Sequence, residues 1–387
     1  MVSILMCTYN REQYLKRAID SVIAQTYTEW ELIIVDDGST DNTEQLVAFY
    51  PDPRIRYIKM DKNRFYCYAA NYGLQNCRGD YVAFQNSDDE WLPDKLEKQM
   101  RFMEEHTEAG ACFTEVTLID NEGNDLSERC LPMEKLFENH YEDQKDWMHF
   151  FLHKGNCVCH PSALVRKKVM DEVGGFNLMY CQLADFDLWV RIVTEHPIYV
   201  LPEKLIRFRW DINKQEQVSS ATEKNLIRSF NEQMLIRKQM IDRLSDEQML
   251  LFFKSEFQKK TSSSHLELEF EKAFLLMHCI DDSPEMRLPG INKLEEVLKI
   301  EGAVEVLERH FDLTLQEIYS WNRGHWYTDF ILEQKISEAK RQLAAYQEKV
   351  NMQEYLIDQY RNSSSWRYTE PFRRVGRMVR RIAKKTK

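Results

Sequence analysis

The chain has 387 residues, of which 43% are hydrophobic and 30% are charged, and its formal net charge at pH 7 is −11. This composition is ample for buried cores in two or more domains, and an acidic chain of this kind is a poor partner for nucleic acid. Nine cysteines lack the spacing of a disulfide framework, and no apolar run approaches the roughly 20 residues that span a bilayer.

Strands and helices alternate along the first part of the chain. Apolar runs predict strands at residues 2–7, 30–35, 55–59 and 81–84. Helical spacing predicts helices at residues 12–25, after residue 41 and after residue 69, and Asp41 and Glu44 have capping-box spacing. The alternation predicts an α/β fold with a mostly parallel sheet, so the loops at Thr8, Asp36-Asp37 and Asp88-Asp89 should lie along one edge.

Two adjacent carboxylates, Asp88 and Asp89, follow the fourth predicted strand. Open α/β sheets place their ligands at the carboxyl ends of the strands. Hard oxygen ligands there suit Mg²⁺ or Mn²⁺, which usually sits between a carboxylate and substrate phosphates. The pair therefore indicates a metal and nucleotide site. The alternative is a helix cap or turn, because Asp and Asn cap helices and Pro93 can open one.

Five motifs follow one another along the chain. They are Cys7-Thr8-Tyr9-Asn10-Arg11, Val35-Asp36-Asp37-Gly38-Ser39-Thr40-Asp41, Asn86-Ser87-Asp88-Asp89-Glu90-Trp91, Gly174-Gly175-Phe176 and Ala184-Asp185-Phe186-Asp187-Leu188-Trp189. In this order they resemble the motifs of family 2 glycosyltransferases. The resemblance covers residues 1–209. It implies the GT-A fold, a nucleotide-binding α/β sandwich, in a domain that we place at residues 1–210.

The same resemblance assigns residues to the sugar donor. Thr8, Tyr9 and Asp37 would hold the base and ribose, and Asp36 would support the turn. Arg64 would reach the nucleotide or its diphosphate. The donor implied is a nucleoside diphosphate sugar.

The chemistry of sugar transfer needs the remaining carboxylates. By resemblance, Asp88 would contact the nucleotide-sugar and Asp89 would ligate the Mn²⁺ or Mg²⁺ that stabilises charge on the departing diphosphate. Asp185 matches the family's general base, which takes the proton of the attacking acceptor hydroxyl. Inversion requires no nucleophile, and no Ser-His-Asp or Cys-His arrangement argues for a covalent route.

Several of these positions have a structural alternative. Asp185 and Asp187 precede a helical run that either could cap, and we favour catalysis for Asp185 and structure for Asp187. Gly174-Gly175-Phe176 is either a helix C-cap turn or an acceptor-site loop. The cysteines of residues 157–160 lack a second Cys/His pair at zinc spacing, so we interpret them as structural. His160 falls in a segment that resembles the family's acceptor-side strand. The sequence leaves open whether His160 lies near the donor phosphates.

Four positions depart from the family pattern. Asn86 stands where Asp is often found, and Ala184 stands where an acidic residue often precedes the base. Ala70 replaces a frequent Arg, and a His often placed near the metal is replaced around Trp210. These departures bear on metal affinity and donor choice rather than on the fold.

Helix formers dominate after residue 210. We predict an α-helical accessory region at residues 211–328, with helices at 225–244, 246–260, 266–279 and 291–310. This region either supports packing or binds the acceptor, and we favour packing. Apolar residues from 332 to 360 alternate four- and three-residue steps, which predicts a coiled coil within 329–362 and a homo-oligomer, with Gln353 as the polar seam position. A single long helix docked on its own protein is the alternative.

The last region, residues 363–387, is a basic tail. Residues 372–387 contain eight Lys or Arg and no acidic residue, and their apolar positions fall near one helical face, which suits an anionic membrane surface. A solvated, frayed terminus is the alternative. Residues 363–371 resemble a Ser-Trp-Arg-x-Thr-x-Pro motif that ends many bacterial surface-polysaccharide glycosyltransferases. With a strand starting at Val2, we expect no signal peptide and a cytoplasmic enzyme, peripheral at the inner face of the membrane.

These observations predict an inverting, metal-dependent glycosyltransferase. It would move a sugar to a hydroxyl of a glycan acceptor, which we expect to be lipid-linked, in surface polysaccharide biosynthesis. One alternative is a non-catalytic scaffold or regulator that binds a nucleotide-sugar within a polysaccharide assembly complex. Another is nucleotidyl transfer, which also uses paired carboxylates and a metal on an α/β sheet.

Overall fold

The computed structural model describes residues 1–210, 222–280, 287–321, 330–362 and 368–383. The chain divides into two compact units, Met1–Tyr327 and Thr328–Lys387. Residues 363–367, which carry most of the predicted Ser-Trp-Arg motif, and the last four residues of the basic tail lie outside the described residues.

In the described part of the first unit, eight strands form one mixed sheet in the order β3-β2-β1-β4-β7-β6-β8-β5. They are β1 (Val2–Thr8), β2 (Trp30–Asp36), β3 (Ile55–Lys59), β4 (Tyr81–Asn86), β5 (Glu90–Trp91), β6 (Ala111–Ile119), β7 (Leu164–Arg166) and β8 (Ile198–Arg209). The pairs β1–β2, β2–β3, β1–β4 and β6–β8 are parallel, whereas β7 and β5 pair antiparallel to their neighbours.

Helices cover the sheet and continue beyond it. Those within the sheet region are α1 (Glu12–Ile23), α2 (Thr43–Ala48), α3 (Tyr66–Leu74), α4 (Lys95–Glu105), α5 (Ser127–Glu134), α6 (Gln144–His153), α7 (Lys167–Val173) and α8 (Ala184–Glu195). The accessory helices are α9 (Glu223–Asp242), α10 (Asp246–Phe253), α11 (His265–His278), α12 (Leu288–Val297), α13 (Ala303–Phe311) and α14 (Leu315–Trp321). The second unit contains α15 (Phe330–Asn362) and α16 (Glu370–Ala383).

The central strands are buried on both faces, as parallel strands covered by helices should be. Alternate residues therefore enter different cores: Leu5 packs into one hydrophobic cluster, and Ile4 and Met6 pack into the other. The first cluster continues into the accessory helices, because Trp147 of α6 shares it with Ile236 of α9. The accessory region therefore has the packing role that the sequence favours.

The strand register places the predicted loops together. Thr8 at the end of β1 pairs with Asp36 at the end of β2, and Cys7 pairs with Asn86 at the end of β4. The prediction that the three polar loops share one edge of the sheet is confirmed.

Three local predictions are wrong. The helix predicted at residues 246–260 ends at Phe253 and is followed by a 3₁₀ turn, Lys254–Glu256. Residues 291–310 are not one helix, because Gly302 adopts a left-handed φ of +83° and separates α12 from α13. The capping box is also absent at α2: the Asp41 Oδ1 atom accepts a hydrogen bond from the Thr43 N–H at 3.1 Å, and Glu44 forms an ion pair with Lys59.

In the second unit, the long predicted helix is confirmed as α15, a helix of 33 residues. Its seam residues Leu332, Ile336, Leu343 and Val350 are exposed, and self-association stays a prediction. Among the described residues, no helix combines the length and the apolar composition that crossing a bilayer requires.

Candidate active site

The loops after β1 and β2 bind each other through backbone and side-chain groups. The Asp37 N–H donates to the Thr8 carbonyl at 2.9 Å, and the Thr40 N–H donates to Asn10 Oδ1 at 2.8 Å. Asp36 is fully buried and accepts hydrogen bonds from the Ser39 N–H, at 2.7 Å, and from the Tyr57 hydroxyl. Asp36 thus forms hydrogen bonds within the turn that follows β2.

Asp37 joins this pair of loops to the segment before α3. Its Oδ1 atom accepts the Arg64 N–H at 2.8 Å, and burial raises the pKa of Asp37. The approach is close because Gly38 has φ +81° and lacks a Cβ, which would lie 2.7 Å from the Lys62 carbonyl carbon. The Arg64 guanidinium itself lies 3.1 Å from Asp61, so Arg64 sits at this edge as a paired cation.

Thr8 and Tyr9 lie at the same edge of the sheet and differ in their exposure to solvent. Thr8 is buried, and its Oγ1 atom has no hydrogen-bond partner among the described residues. Tyr9 keeps 43% of its surface exposed. Nearby Phe65 is also exposed and has φ +66°, a conformation that costs a non-glycine residue about 1–3 kcal/mol. The residues predicted to hold the base and ribose therefore include a buried polar atom at Thr8 and an exposed ring at Tyr9.

Asp88 and Asp89 differ sharply in accessibility. The Asp88 side chain is 23% exposed and lies 3.8 Å from Arg11 Nε, whereas Asp89 is 1% exposed. Both Asp89 oxygens accept protein hydrogen bonds, from the Arg209 N–H at 2.7 Å and from Asn86 Nδ2 at 2.8 Å. Asp88 is therefore the carboxylate that a ligand reaches first, and Asp89 is also part of the local scaffold.

Arg209, at the end of β8, organises this acidic turn. Its guanidinium donates to the Asp88 carbonyl at 2.8 Å and to Glu90 Oε1 at 3.1 Å. The contacts span about 120 positions of sequence, so local sequence patterns gave no sign of them.

The acidic turn suits a divalent cation. Burial raises the pKa of Asp88, although Arg11 and Arg209 oppose the shift, and burial together with the Asp88 charge raises the pKa of Asp89 well above its usual range. Desolvated neighbouring carboxylates repel each other, and a bound cation relieves that cost. Carboxylate oxygens are the ligands that Mg²⁺ and Mn²⁺ prefer, so the residues present fit such an ion.

Asp185 is the second residue of α8 and is half-buried. Its Oδ1 atom accepts the Phe186 N–H at 2.8 Å, and its Oδ2 atom accepts Asn156 Nδ2 at 3.1 Å. Burial raises the pKa of Asp185 to about 6, although these hydrogen bonds lower it. A carboxylate that is accessible and titrates near neutral pH suits a general base.

Glu232 of α9 holds the start of the helix that carries Asp185. Its buried carboxylate accepts three backbone N–H groups, from Cys181 at 3.0 Å, Gln182 at 2.9 Å and Leu183 at 2.7 Å. A carboxylate at a helix N-terminus accepts hydrogen bonds from N–H groups that have no partner within the helix. Its negative charge is also stabilised by the positive end of the helix dipole. Local sequence patterns do not reveal Glu232, because it lies in the accessory region and about 50 residues from its partners.

The Gly174-Gly175-Phe176 turn is a helix C-cap. Gly174 ends α7 with φ +83°, and Arg191 binds the turn through the Gly175 carbonyl at 2.7 Å. Asn71 fixes Phe176 from the other side with two hydrogen bonds of 2.8 Å. Phe176 is buried, so only the glycine backbone of this predicted acceptor-side turn is open to a ligand.

Asp187 has the structural role that the sequence favoured. It is buried and binds the Arg191 guanidinium at 2.8 and 2.9 Å. Because Arg191 also reaches the glycine turn, Asp187 connects α8 to that turn.

His160 lies within a cluster of aromatic side chains. Its Nε2 atom is 2.6 Å from the Tyr66 hydroxyl, and its ring packs against Phe84 and Phe176. Burial lowers the pKa of His160 to about 3, so the imidazole is neutral near pH 7. Any contact it makes with donor phosphates is therefore that of a neutral group.

Cys159 is a buried thiol next to His160 in the sequence. Burial, followed by the charges of Asp89 and Asp185, raises the pKa of Cys159 well above its usual range. Among the described residues, no metal-binding group of His, Cys and carboxylate side chains includes Cys157 or Cys159, and both are buried.

Comparison with known sequences gives one consistent family. Residues 3–174 match the sequence model described as Glycosyl transferase family 2. An uncharacterized glycosyltransferase of Methanocaldococcus jannaschii is 32% identical over 54% of this chain and 70% of its own length. The O-antigen biosynthesis glycosyltransferase WbnJ of Escherichia coli is 30% identical over 54% of this chain and 75% of its own length. An uncharacterized glycosyltransferase of Rickettsia felis is 32% identical, but the match spans 34% of that longer protein.

Comparison with solved structures concerns the fold. The crystal structure of S. aureus TarS 1–349 in complex with UDP-GlcNAc superposes with a TM-score of 0.52 at 19% identity, over 77% of this chain and 90% of that one. The expected GT-A-like α/β fold, followed by a helical region, is confirmed.

Proposed function

Because this chain belongs to glycosyl transferase family 2, we propose that it transfers a sugar from a nucleoside diphosphate sugar to a hydroxyl of a glycan acceptor in surface polysaccharide biosynthesis. The O-antigen function named for the Escherichia coli relative supports this acceptor class. We propose an inverting, single-step transfer within residues 1–210.

The observation that carries the proposal is the state of Asp185. It is a half-buried carboxylate at the start of α8 whose pKa is raised by burial to about 6. Its ionised form takes the proton of the acceptor hydroxyl while that oxygen bonds to the anomeric carbon. The bond between that carbon and the diphosphate oxygen breaks, and its electron pair leaves with the diphosphate.

On the donor side, we propose that Thr8, Tyr9 and Asp37 hold the base and ribose and that Arg64 approaches the phosphates. The unpartnered Thr8 Oγ1 atom and the exposed Tyr9 ring are consistent with an open site.

Asp88 and Asp89 would hold a Mn²⁺ or Mg²⁺ ion. We predict Asp89 as the ligand from the family resemblance, and we now add Asp88, because it reaches solvent without breaking a bond to Asn86 or Arg209. When bound, the cation supplies Lewis-acid stabilisation of charge on the diphosphate. Arg11 pairs with the Asp88 carboxylate, and the Arg209 N–H donates to the Asp89 carboxylate.

Glu232 acts as a positioning residue for this chemistry. Its three hydrogen bonds fix the segment immediately before α8, and Asp185 follows two residues later. Its charge also contributes to the raised pKa of Asp185, after burial has made the larger contribution. A base held on a fixed helix start loses less freedom at the moment of proton transfer.

The C-terminal region suggests how the enzyme meets its acceptor. We propose that the basic tail at 363–387 binds an anionic membrane surface, where a lipid-linked glycan would be found, and that α15 forms a homo-oligomeric coiled coil. Deleting residues 372–387 should weaken binding to anionic vesicles while sparing turnover of a soluble acceptor.

The test is a panel of nucleotide-sugars assayed for Mn²⁺-dependent release of nucleoside diphosphate, with and without a glycan acceptor. Asp185→Asn should lower the rate of transfer by about 10²–10⁴-fold and keep donor binding. Asp171→Asn, which changes an exposed carboxylate paired with Lys167, is the matched control and should be fully active. Donor binding without turnover in the unaltered protein would favour the scaffold, and pyrophosphate release from a nucleoside triphosphate would favour nucleotidyl transfer.

A further inference from the structure

Three metal-ligand side chains meet where the accessory helices dock on the sheet domain. His149 and His153 are one helical turn apart on α6, and Glu256 belongs to the 3₁₀ turn Lys254–Glu256 that follows α10. One ligand atom from each lies within 4.8 Å of the others. Nothing in the sugar-transfer chemistry uses this cluster.

In each histidine, one ring nitrogen forms a hydrogen bond with a backbone carbonyl, and the other ring nitrogen faces Glu256. His149 Nε2 lies 2.6 Å from the Phe252 carbonyl, and His153 Nδ1 lies 2.8 Å from the Cys279 carbonyl. A carbonyl only accepts, so these two nitrogens carry protons. The other nitrogens face Glu256: His149 Nδ1 contacts Oε1, and His153 Nε2 lies 2.8 Å from Oε2. Metal-bound histidines commonly donate their second N–H to a backbone carbonyl in this way, which fixes the ring.

We propose that His149, His153 and Glu256 bind a divalent transition-metal ion of the Zn²⁺ type. Two imidazole nitrogens and one carboxylate oxygen suit zinc, cobalt or nickel better than magnesium or calcium. Tetrahedral bonds of about 2.0–2.2 Å place ligand atoms about 3.3 Å apart. The contacts of Glu256 with His149 and His153 are shorter than this, so an ion would enter as side-chain rotations separate the carboxylate from the two imidazoles. The side chains are 24%, 29% and 25% exposed, which leaves room for water as the fourth ligand.

Such an ion would clamp two parts of the first unit. Both histidines come from α6, whereas Glu256 and the carbonyls of Phe252 and Cys279 come from the accessory helices and their ends. A metal that binds only the folded arrangement stabilises it and raises the unfolding temperature. The site would therefore fasten the accessory region, and with it Glu232, to the domain that carries Asp185.

The experiment titrates the full chain, freed of metal by a chelator, with Co²⁺ in excess Mg²⁺ at pH 8, and follows visible absorbance. We expect one Co²⁺ per chain with a tetrahedral spectrum that lacks thiolate charge-transfer bands, displaced by Zn²⁺. Zn²⁺ should also raise the unfolding temperature, and the chelator should reverse the rise. His149→Gln and Glu256→Gln should lose both effects.

Two controls separate this site from others. His196→Gln breaks a matched single pair, in which His196 Nε2 lies 2.8 Å from Glu172, and should keep metal binding. Asp88→Asn should also keep it, because the donor-side carboxylates are separate. Should either Gln variant fail to fold, the spectrum of the unaltered protein alone still distinguishes imidazole and carboxylate ligands from thiolates.

Three results would overturn the proposal. One is the absence of stoichiometric binding by the unaltered protein, and another is a spectrum with thiolate bands. The third is an unfolding temperature that does not change when metal is added and that falls as pH rises. That result would show that the three side chains form only ion pairs. Hydrogen bonds to Glu256 raise the pKa of both histidines. In that case their stabilisation is complete below the unfolded histidine pKa and is lost as pH rises through the higher folded value.

Discussion

At the scale of single residues, Asp185 sets the expected pH dependence. Its pKa is raised by burial to about 6, and only the ionised form accepts a proton. We expect kcat/KM to rise with pH up to this value and to level off above it. Asp185→Asn should lower kcat by about 10²–10⁴-fold, the usual contribution of a general base. Initial rates of nucleoside diphosphate release between pH 5 and 8.5 check both points, and a profile flat through pH 6 would refute the role.

Glu232→Gln tests whether the accessory region tunes the same group. Removing the negative charge lowers the pKa of Asp185, so the acid limb of the profile should move to lower pH. The three hydrogen bonds donated to the Glu232 carboxylate are also weakened, and a hydrogen bond to a charged group contributes about 1.5–3 kcal/mol, so the free energy of unfolding should fall. Glu247→Gln, an exposed change on α10, is the control. Lost stability without any shift of the limb would leave Glu232 a purely structural residue.

The two carboxylates of the acidic turn should respond differently to substitution. Asp88→Asn should weaken Mn²⁺-dependent donor binding with little effect on folding, because the side chain is partly exposed. Asp89→Asn should do both, since its carboxylate accepts the Arg209 N–H and Asn86 Nδ2 in a buried setting. Paired measurements of donor affinity with and without Mn²⁺, and of urea unfolding, separate the two effects. Equal loss of stability in both variants would contradict this division.

At the scale of secondary-structure elements, α15 carries the prediction of self-association. Its seam residues Ile336, Leu343 and Val350 are exposed, and burying each in a partner helix would contribute about 1.5–3 kcal/mol. We expect concentration-dependent oligomers in sedimentation velocity, with Leu343→Glu shifting the protein to monomer. Glu338→Lys, which changes charge off the seam, should leave the oligomer intact. A full-length chain that is monomeric at every concentration would rule the coiled coil out.

Much of the order of strands and helices could be predicted, because it depends on short sequence patterns. Continuous apolar runs predicted strands β1 to β4. The polar residues that follow three of these strands predicted loops along one edge of the sheet. Gly302 shows a local signal that helix-forming neighbours concealed. Arg209, Glu232 and the His149 cluster could not be found this way, because each acts on partners about 50 to 120 residues away. Their pairing depends on how helices dock, which periodicity does not encode.

At the scale of the whole molecule, the shared core predicts which fragments fold. A chain ending at residue 210 would expose Trp147 and Phe151, which pack in one cluster with Ile236, Met240 and Phe252. Losing several such contacts, at about 1.5–3 kcal/mol each, exceeds much of a typical stability of about 5–15 kcal/mol. We expect the 1–210 fragment to aggregate and a 1–327 fragment to unfold cooperatively. Far-ultraviolet circular dichroism during heating distinguishes them, and a cooperative 1–210 fragment would contradict the shared core.

The register of the parallel strands has a consequence for engineering donor preference. With Thr8 opposite Asp36 and Cys7 opposite Asn86, the spacing between recognition loops is set by the backbone ladder beneath them. A loop can therefore be transplanted from a relative of different specificity as long as its flanking strand ends keep their alignment. A single residue inserted within β1, by contrast, would turn each following side chain of that strand to the opposite face of the sheet. The strand ends that carry the recognition loops would then lose their alignment.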